Sequence, residues 1–138
     1  MNARGAFLLE ALVATLVLAL ATLAFIGLTT LAIAGVAQAR WRGEAAALAS
    51  SAVARMSVSA PATLAAEYDS DRNGAGFRAF AQSAQRLPGV TASVNPPVIA
   101  ITQRPGSGAV TASVRIAWQA PGSPAPHRYT IEDALVAW

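Results

Sequence analysis

The apolar residues of this chain are concentrated towards its N-terminal end. Residues 11–39 form a run of 29 positions without Asp, Glu, Lys, Arg or His, and the apolar stretch around them extends from about Ala6 to Ala39. As one α-helix this run would be about 44 Å long, whereas the hydrocarbon core of a bilayer is only about 30 Å thick. The pattern therefore predicts that residues 6–39 form a transmembrane helix.

The helical pattern continues beyond Ala39 but becomes amphipathic. Residues 40–60 are rich in strong helix formers, and Pro61 is the first residue that would end the helix. Long or apolar side chains recur on one face of this segment, at Trp41, Leu48, Ala52, Arg55 and Met56. Such a stripe is typical of a helix that packs on a domain with one face and exposes the other. The sequence thus predicts one long helix with a membrane half and a half that faces a domain.

Residues 61–138 have the mixed pattern of a small α+β domain. Residues 66–76 predict a loop, and residues 77–87 predict a short helix. Alternating apolar and polar positions predict strands at 90–94, 98–102, 110–118 and 127–138. In the last two strands the inward positions are Val110, Ala112, Val114, Ile116, Trp118, Tyr129 and Ile131. We expect an α+β fold in which the long N-terminal helix packs on a small antiparallel sheet of three or four strands.

Composition and charge narrow the classes of function. Hydrophobic residues make up 54% of the chain and charged residues only 12%, and there is no Cys from which a disulfide could form. The net charge is +3, and every basic side chain is an Arg, scattered along the chain. A nucleic-acid surface needs a concentrated basic patch, so we expect no nucleic-acid partner.

One short segment resembles part of a calcium-binding loop. Asp69, Asp71 and Asn73 occupy positions 1, 3 and 5 of the EF-hand spacing, and Gly74 occupies position 6. Position 12, which supplies the bidentate carboxylate in that loop, is Phe80. A polar surface turn is the favoured interpretation, and calcium binding stays open.

Residues with catalytic potential are few. Ser107 and Ser123 lie in Pro- and Gly-rich loops, without the strand and helix that flank a nucleophile elbow. His127 is the single His of the chain, so a site with several His ligands is excluded, and its position predicts the first residue of a strand. We therefore expect no enzyme activity, no cofactor and no metal site.

Glu10 is the feature that composition does not explain. It stands at the head of the apolar run, and no other charged residue follows until Arg40. Carboxylates within membrane segments are costly and usually functional. The alternative explanation is that Glu10 only extends to the membrane surface, close to the head of a signal peptide.

The residues around Glu10 carry a resemblance. Gly5-Ala6-Phe7-Leu8-Leu9-Glu10, followed by a long apolar helix, resembles the class III signal of type IV prepilins and type II secretion pseudopilins. The resemblance implies that residues 1–5 are a leader that a prepilin peptidase removes between Gly5 and Ala6. It also implies that Ala6 becomes an N-methylated N-terminus. Glu10, the fifth mature residue, would then neutralise the amine of a neighbouring subunit during assembly.

The remainder of the chain is similar to minor pilins of the PilV type. The similarity rests on "AAALASSAVARM" in the helix, "LPGV" before the predicted strands, and "VTASVRIAW" near the end. It implies a single-pass protein of the inner membrane, whose residues 61–138 form a periplasmic domain and which later joins a pilus or pseudopilus fibre. The implied partners are the prepilin peptidase and other major and minor pilins or pseudopilins, which it contacts through the N-terminal helix.

Three alternatives remain open at this stage. A minor pseudopilin of a type II secretion system, of the GspI kind, would share the same membrane helix and differ in its partners. A secreted domain behind an ordinary signal peptide would be cleaved after Ala37-Gln38-Ala39, although its apolar region would be unusually long. An anchored periplasmic binding module would leave Gly5 and Glu10 unexplained. The position of the subunit in a fibre, and any adhesion ligand, also stay open.

Overall fold

The structure, a computed structural model, describes residues 3–103 and 109–135, with the backbone alone for residues 3–5. In chain order its elements are α1 (Ala3–Ser57), α2 (Pro61–Tyr68), α3 (Ala75–Ala84), β1 (Val98–Gln103), β2 (Val110–Trp118) and β3 (His127–Leu135). The chain divides into two compact units, Met1–Ala39 and Arg40–Trp138. The predicted α+β class, with a long N-terminal helix and a small antiparallel sheet, is confirmed.

Helix α1 ends at Ser57, close to the end predicted before Pro61. The following turn satisfies two carbonyl groups that the last helical turn leaves without partners. The Ser59 N–H donates to the Met56 carbonyl at 3.1 Å, and the Ser59 hydroxyl donates to the Arg55 carbonyl at 3.0 Å. The chain therefore leaves the helix without an uncompensated polar group at these two positions.

Pro61 begins a second helix, which was not predicted from the sequence. It occupies the first turn of α2, where a missing N–H costs no hydrogen bond and the fixed φ angle suits the helix. The predicted loop at 66–76 is consequently confined to the residues between Tyr68 and Ala75. The short helix predicted at 77–87 is present as α3, displaced towards the N-terminus.

The predicted strand at 90–94 is wrong, because these residues form a turn. The Val94 N–H donates to the Thr91 hydroxyl at 2.8 Å, and the Thr91 N–H donates to the Val94 carbonyl at 2.8 Å. Asn95 then adopts a positive φ of 53°. A Thr hydroxyl that bonds to the local backbone competes with strand pairing, and it prevails over the short alternating pattern here.

The three strands form one antiparallel sheet in the order β1-β2-β3. Ile99 of β1 pairs with Val114 of β2, which pairs with Ile131 of β3. All five predicted inward positions of β2 are buried, and Tyr129 and Ile131 are half-buried against them. The alternation in β2 therefore identified the core face of the sheet correctly.

The core of the second unit joins this sheet face to the last part of α1. Trp41, Leu48, Ala52 and Met56 belong to this cluster as predicted. Arg55 does not, because it lies at the margin of the helix face and is exposed. Small residues complete the face, with Ala45 and Ala49 fully buried. Their short side chains allow the helix backbone to approach its neighbours closely.

Candidate functional site

The helix that holds Glu10 can cross a membrane. The stretch from Ala6 to Ser57 contains a window with a mean hydropathy of 2.5, none of which is buried within the protein. Its large side chains are exposed, among them Leu12 at 65%, Leu23 at 67% and Ile33 at 71%. In water such a surface would be strongly unfavourable, whereas lipid solvates it. Length and composition therefore suit this part of α1 for insertion in a bilayer.

The hydroxyl groups in this part of α1 are satisfied within the helix. Thr15 donates to the Leu12 carbonyl at 2.9 Å, and Thr22 donates to the Ala19 carbonyl at 2.8 Å. Thr29 and Thr30 both donate to the Ile26 carbonyl. A hydroxyl in hydrocarbon needs such a bond because no water can replace it. These four side chains can therefore lie in lipid without an external partner.

Glu10 has no comparable internal partner. It is exposed in the first unit, and among the residues that the structure describes no side chain forms an ion pair or hydrogen bond with its carboxylate. Phe7 and Val13, three residues before and after it, flank it on the helix surface and are also exposed. Its carboxylate is thus an acceptor without a donor on an apolar helix.

The predicted processing site lies partly outside the described residues. Met1 and Asn2 are not described, Gly5 is described as backbone within α1, and Ala6 is an exposed helical residue. Because a helix rises 1.5 Å per residue, Ala6 lies about one turn from Glu10. An amine created at Ala6 would therefore lie about one helical turn from the carboxylate along the helix axis.

The helix face that contains Glu10 is lined mainly by small residues. Successive residues of a helix are about 100° apart, which places Ala14, Ala21, Ala24, Ala32 and Gly35 within about 40° of Glu10. Val17 and Leu28 share this face. The opposite face carries the larger Leu8, Leu12, Leu23 and Ile26. This asymmetry was not predicted from the sequence, although a helical projection of residues 10–35 would reveal it.

Asp69, the first residue of the possible calcium loop, has a structural role. Its Oδ2 accepts a hydrogen bond from the Ile101 N–H at 3.1 Å, and its Oδ1 accepts one from the Asp71 N–H at 2.9 Å. The neighbouring Ser70 donates to the Ile99 carbonyl through its N–H, at 2.9 Å, and through its hydroxyl, at 3.0 Å. Asp69 and Ser70 thus take the place of a further strand beside β1.

Calcium binding by this loop stays an untested hypothesis, and the backbone already engages the carboxylate of Asp69. Both oxygens of Asp69 already accept backbone hydrogen bonds. Among the described residues, no three acidic, His or Cys side chains are grouped closely enough to hold a metal ion. The loop is instead shaped for close packing, since a Cβ at Gly74 would overlap the carbonyl oxygen of Glu67.

Ser123 and His127 are brought together at the β2–β3 connection. The Ser123 Oγ lies 3.3 Å from the His127 Nε2, and the His127 ring lies beside Trp118 with the ring centroids 5.8 Å apart. The Ser123 hydroxyl also donates to the Ala125 carbonyl at 2.9 Å. A hydroxyl has one proton, so this bond leaves Ser123 as an acceptor from His127, the reverse of a nucleophile activated by a base. The pair therefore stabilises the loop in this arrangement. The other candidate serine, Ser107, lies outside the described residues.

A shallow cleft in the second unit is the remaining candidate site. It has a volume of about 80 Å³ and is lined by Leu48, Ser51 and Arg55 of α1 together with Tyr68 and Ser83. The Ser51 and Ser83 hydroxyls donate to carbonyls of their own helices. The space suits a few waters or one side chain rather than a substrate.

Comparisons with models of protein families, with characterised proteins and with solved structures give no match. Among the described residues, Glu10 on the small-residue face of α1 is the strongest candidate site.

Proposed function

We propose that this protein is a minor pilin. In this proposal it inserts in the inner membrane through residues 6–39, a prepilin peptidase cleaves it after Gly5, and it then assembles into or primes a type IV pilus. The observation that carries the proposal is the position of Glu10, an acid with no partner among the described residues, on the small-residue face of a membrane-compatible helix. The class III signal around Gly5 and Ala6 supplies the reaction that would create its partner.

The small-residue face supports a role in helix packing. Apolar surface gives little driving force for association in lipid, so membrane helices associate through close van der Waals contact and polar pairs. Ala14, Ala21 and Ala24 permit a neighbouring helix to approach, and they lie on the same side as Glu10. A helix docked there would bring its own N-terminal amine into reach of the carboxylate if the two helices run parallel.

The charge balance supports the same step. Cleavage after Gly5 creates a cationic amine at Ala6, and methylation leaves that charge in place. Two opposite charges in hydrocarbon are far more favourable as a pair than apart. Docking of Glu10 against a neighbouring amine therefore favours assembly and fixes the axial register of the subunits.

The mass of the mature protein tests the processing step. The protein is purified from membranes and its intact mass is measured, with an N-terminus at Ala6 as the expected result. Gly5→Leu should leave the leader in place, because a bulky side chain would crowd the scissile bond. Gly27→Leu is the matched control, since nothing lies within 4 Å of that glycine in the structure.

Other masses would favour the alternatives. An N-terminus at Arg40 would indicate a secreted domain, and a chain that keeps residues 1–5 would indicate an anchored module. The same membrane helix also suits a minor pseudopilin of a type II secretion system. The pilus or secretion proteins that co-purify with the mature subunit distinguish these two assemblies.

A further inference from the structure

The two edges of the sheet differ in their hydrogen bonding. Asp69 and Ser70 form hydrogen bonds with the backbone at the free edge of β1. Strand β3, at the other edge, pairs with β2 only, and within the described part of the chain residues 128–135 form no hydrogen bond with any other segment. An exposed edge of this kind is a template for pairing with another strand.

The sequence of β3 is complementary to itself when read antiparallel about Thr130. In that register Arg128 of one copy lies opposite Glu132 of the other, and Tyr129 lies opposite Ile131. Thr130 lies opposite its own counterpart. Opposite charges, aromatic with β-branched residues, and Thr with Thr are all favourable cross-strand pairs. Each pair except the central one occurs twice because the arrangement is symmetric.

This register forms the favourable pairs and also keeps core-face residues opposite core-face residues. Tyr129 and Ile131 belong to the core face, because they pair with Ile116 and Val114, whereas Arg128 and Glu132 lie on the outer face. A slip by one residue would exchange the faces of the added strand. A symmetric pairing centred on Ile131 would instead place Arg128 opposite Ala134 and Thr130 opposite Glu132, so that the charge pairs are lost.

We propose that β3 of one copy pairs antiparallel with β3 of a second copy, with Thr130 at the two-fold axis. The two sheets then form one continuous antiparallel sheet. The half-buried Tyr129 and Ile131 become covered by their counterparts across the new contact. The same register sets His127 opposite Asp133 at each end. Residue pairs of opposite charge at both ends specify a second copy of this chain as the partner.

This contact is separate from the proposed pilin function. A two-fold contact uses the same patch on both subunits, whereas a polar fibre is built from head-to-tail contacts between different patches. Pairing through β3 therefore joins subunits that are not neighbours along one such fibre. Its test does not depend on fibre assembly, and its failure would leave the proposed function untouched.

Charge exchange between Arg128 and Glu132 gives the sharpest test. The full chain is purified in detergent, and the protein mass of the micelle complex is measured over a concentration series. Arg128→Glu and Glu132→Arg should each weaken the dimer about tenfold or more, because each places like charges opposite one another. An equimolar mixture of the two variants should regain the dimer, since every charge again meets its opposite. The double variant R128E/E132R should also remain dimeric.

Arg86→Glu is the matched control, because Arg86 is exposed and follows α3, outside the sheet. It should leave the dimer unchanged. A wild-type chain that is monomeric throughout the series would overturn the proposal. So would a dimer that resists both single substitutions, which would indicate contact through the membrane helix instead.

Disulfide trapping tests the register independently. The chain has no Cys, so a single introduced Cys can cross-link only to its counterpart in another copy. Thr130→Cys should give covalent dimers on oxidation, because the two sulfurs would face each other at the two-fold axis. Thr111→Cys, on the outer face of β2, is the control. Equal yields from both variants would contradict the pairing.

Discussion

Asp69 and Ile101 are joined by a hydrogen bond of 3.1 Å between the carboxylate Oδ2 and the backbone N–H. The bond connects the end of α2 to the free edge of β1, across 32 positions of sequence. A loop side chain here supplies the acceptor that a neighbouring strand would otherwise provide. The apparent calcium ligand is thus a part of the fold.

Removal of this carboxylate should destabilise the second unit. Asp69→Ala leaves the partly buried Ile101 N–H and the Asp71 N–H without their acceptor, and we expect a loss of about 1–3 kcal/mol in the free energy of unfolding. Denaturant titration of the full chain in micelles, followed by Trp fluorescence, measures this change. Asp71→Ala is the control, because Asp71 takes part through its backbone N–H alone, and it should change stability by much less. Stabilisation of the wild type by added calcium would contradict the structural role of Asp69.

Two glycines should respond to Ala in opposite ways. A Cβ at Gly76 would lie 2.5 Å from Cε1 of the buried Tyr68 ring, so the ring or α3 must shift. Overpacking of this kind typically costs about 1–3 kcal/mol. Gly43 lies within α1 with nothing within 4 Å of the added atom, and Gly→Ala in a helix interior stabilises by roughly 1 kcal/mol. The same denaturant titration checks both variants, and equal effects would show that the packing around Tyr68 is incorrect.

The small-residue face of α1 should matter for assembly, and the opposite face should not. Ala21→Leu enlarges a residue on the Glu10 face, whereas Ala19→Leu makes the same change on the far side of the helix. If neighbouring helices dock on the Glu10 face, Ala21→Leu should lower incorporation into fibres, at a cost of about 1–3 kcal/mol. Both variants should insert in the membrane and be cleaved normally. Quantitative immunoblots of sheared fibres and of membranes measure the ratio, and equal incorporation of the two would argue against this face.

Long periodic segments were predicted well because many positions support each of them. In α1 the apolar run and the later stripe extend over dozens of residues, and in β2 strict alternation between Val110 and Trp118 defines the buried face. The predictions for short segments were wrong or incomplete where a single residue is compatible with two local structures. Pro61 ends one helix and begins another, and the Thr91 hydroxyl turns a strand-like segment back on itself.

The sequence indicated the candidate site around Glu10 but not the structural role of Asp69. Gly5, Ala6 and Glu10 lie within six positions of one another, so their resemblance to a class III signal is visible without the structure, and the processing and assembly that the resemblance implies stay a prediction. The role of Asp69 was not predictable, because its partner Ile101 becomes a neighbour only after the sheet has formed. Local spacing instead suggested a metal loop there.

Glu10 provides the most direct test of the proposed function. Glu10→Ala removes the acid but leaves the bond after Gly5 unaltered, so insertion and cleavage should proceed as in the wild type. The amine of the neighbouring subunit would then be buried without a partner, and incorporation should fall on the order of a hundredfold. Glu10→Gln should lower incorporation almost as much, since Gln carries no charge. Glu10→Asp should retain part of the wild-type incorporation, because Asp keeps the charge on a shorter side chain.

The decisive measurement is the fraction of this subunit in sheared fibres relative to the membrane, for Glu10→Ala beside the wild type. Cleavage is assayed in the same samples. The expected result for Glu10→Ala is processed protein that remains in the inner membrane. Normal incorporation of the Ala variant would contradict it and leave Glu10 as a residue of the membrane surface only.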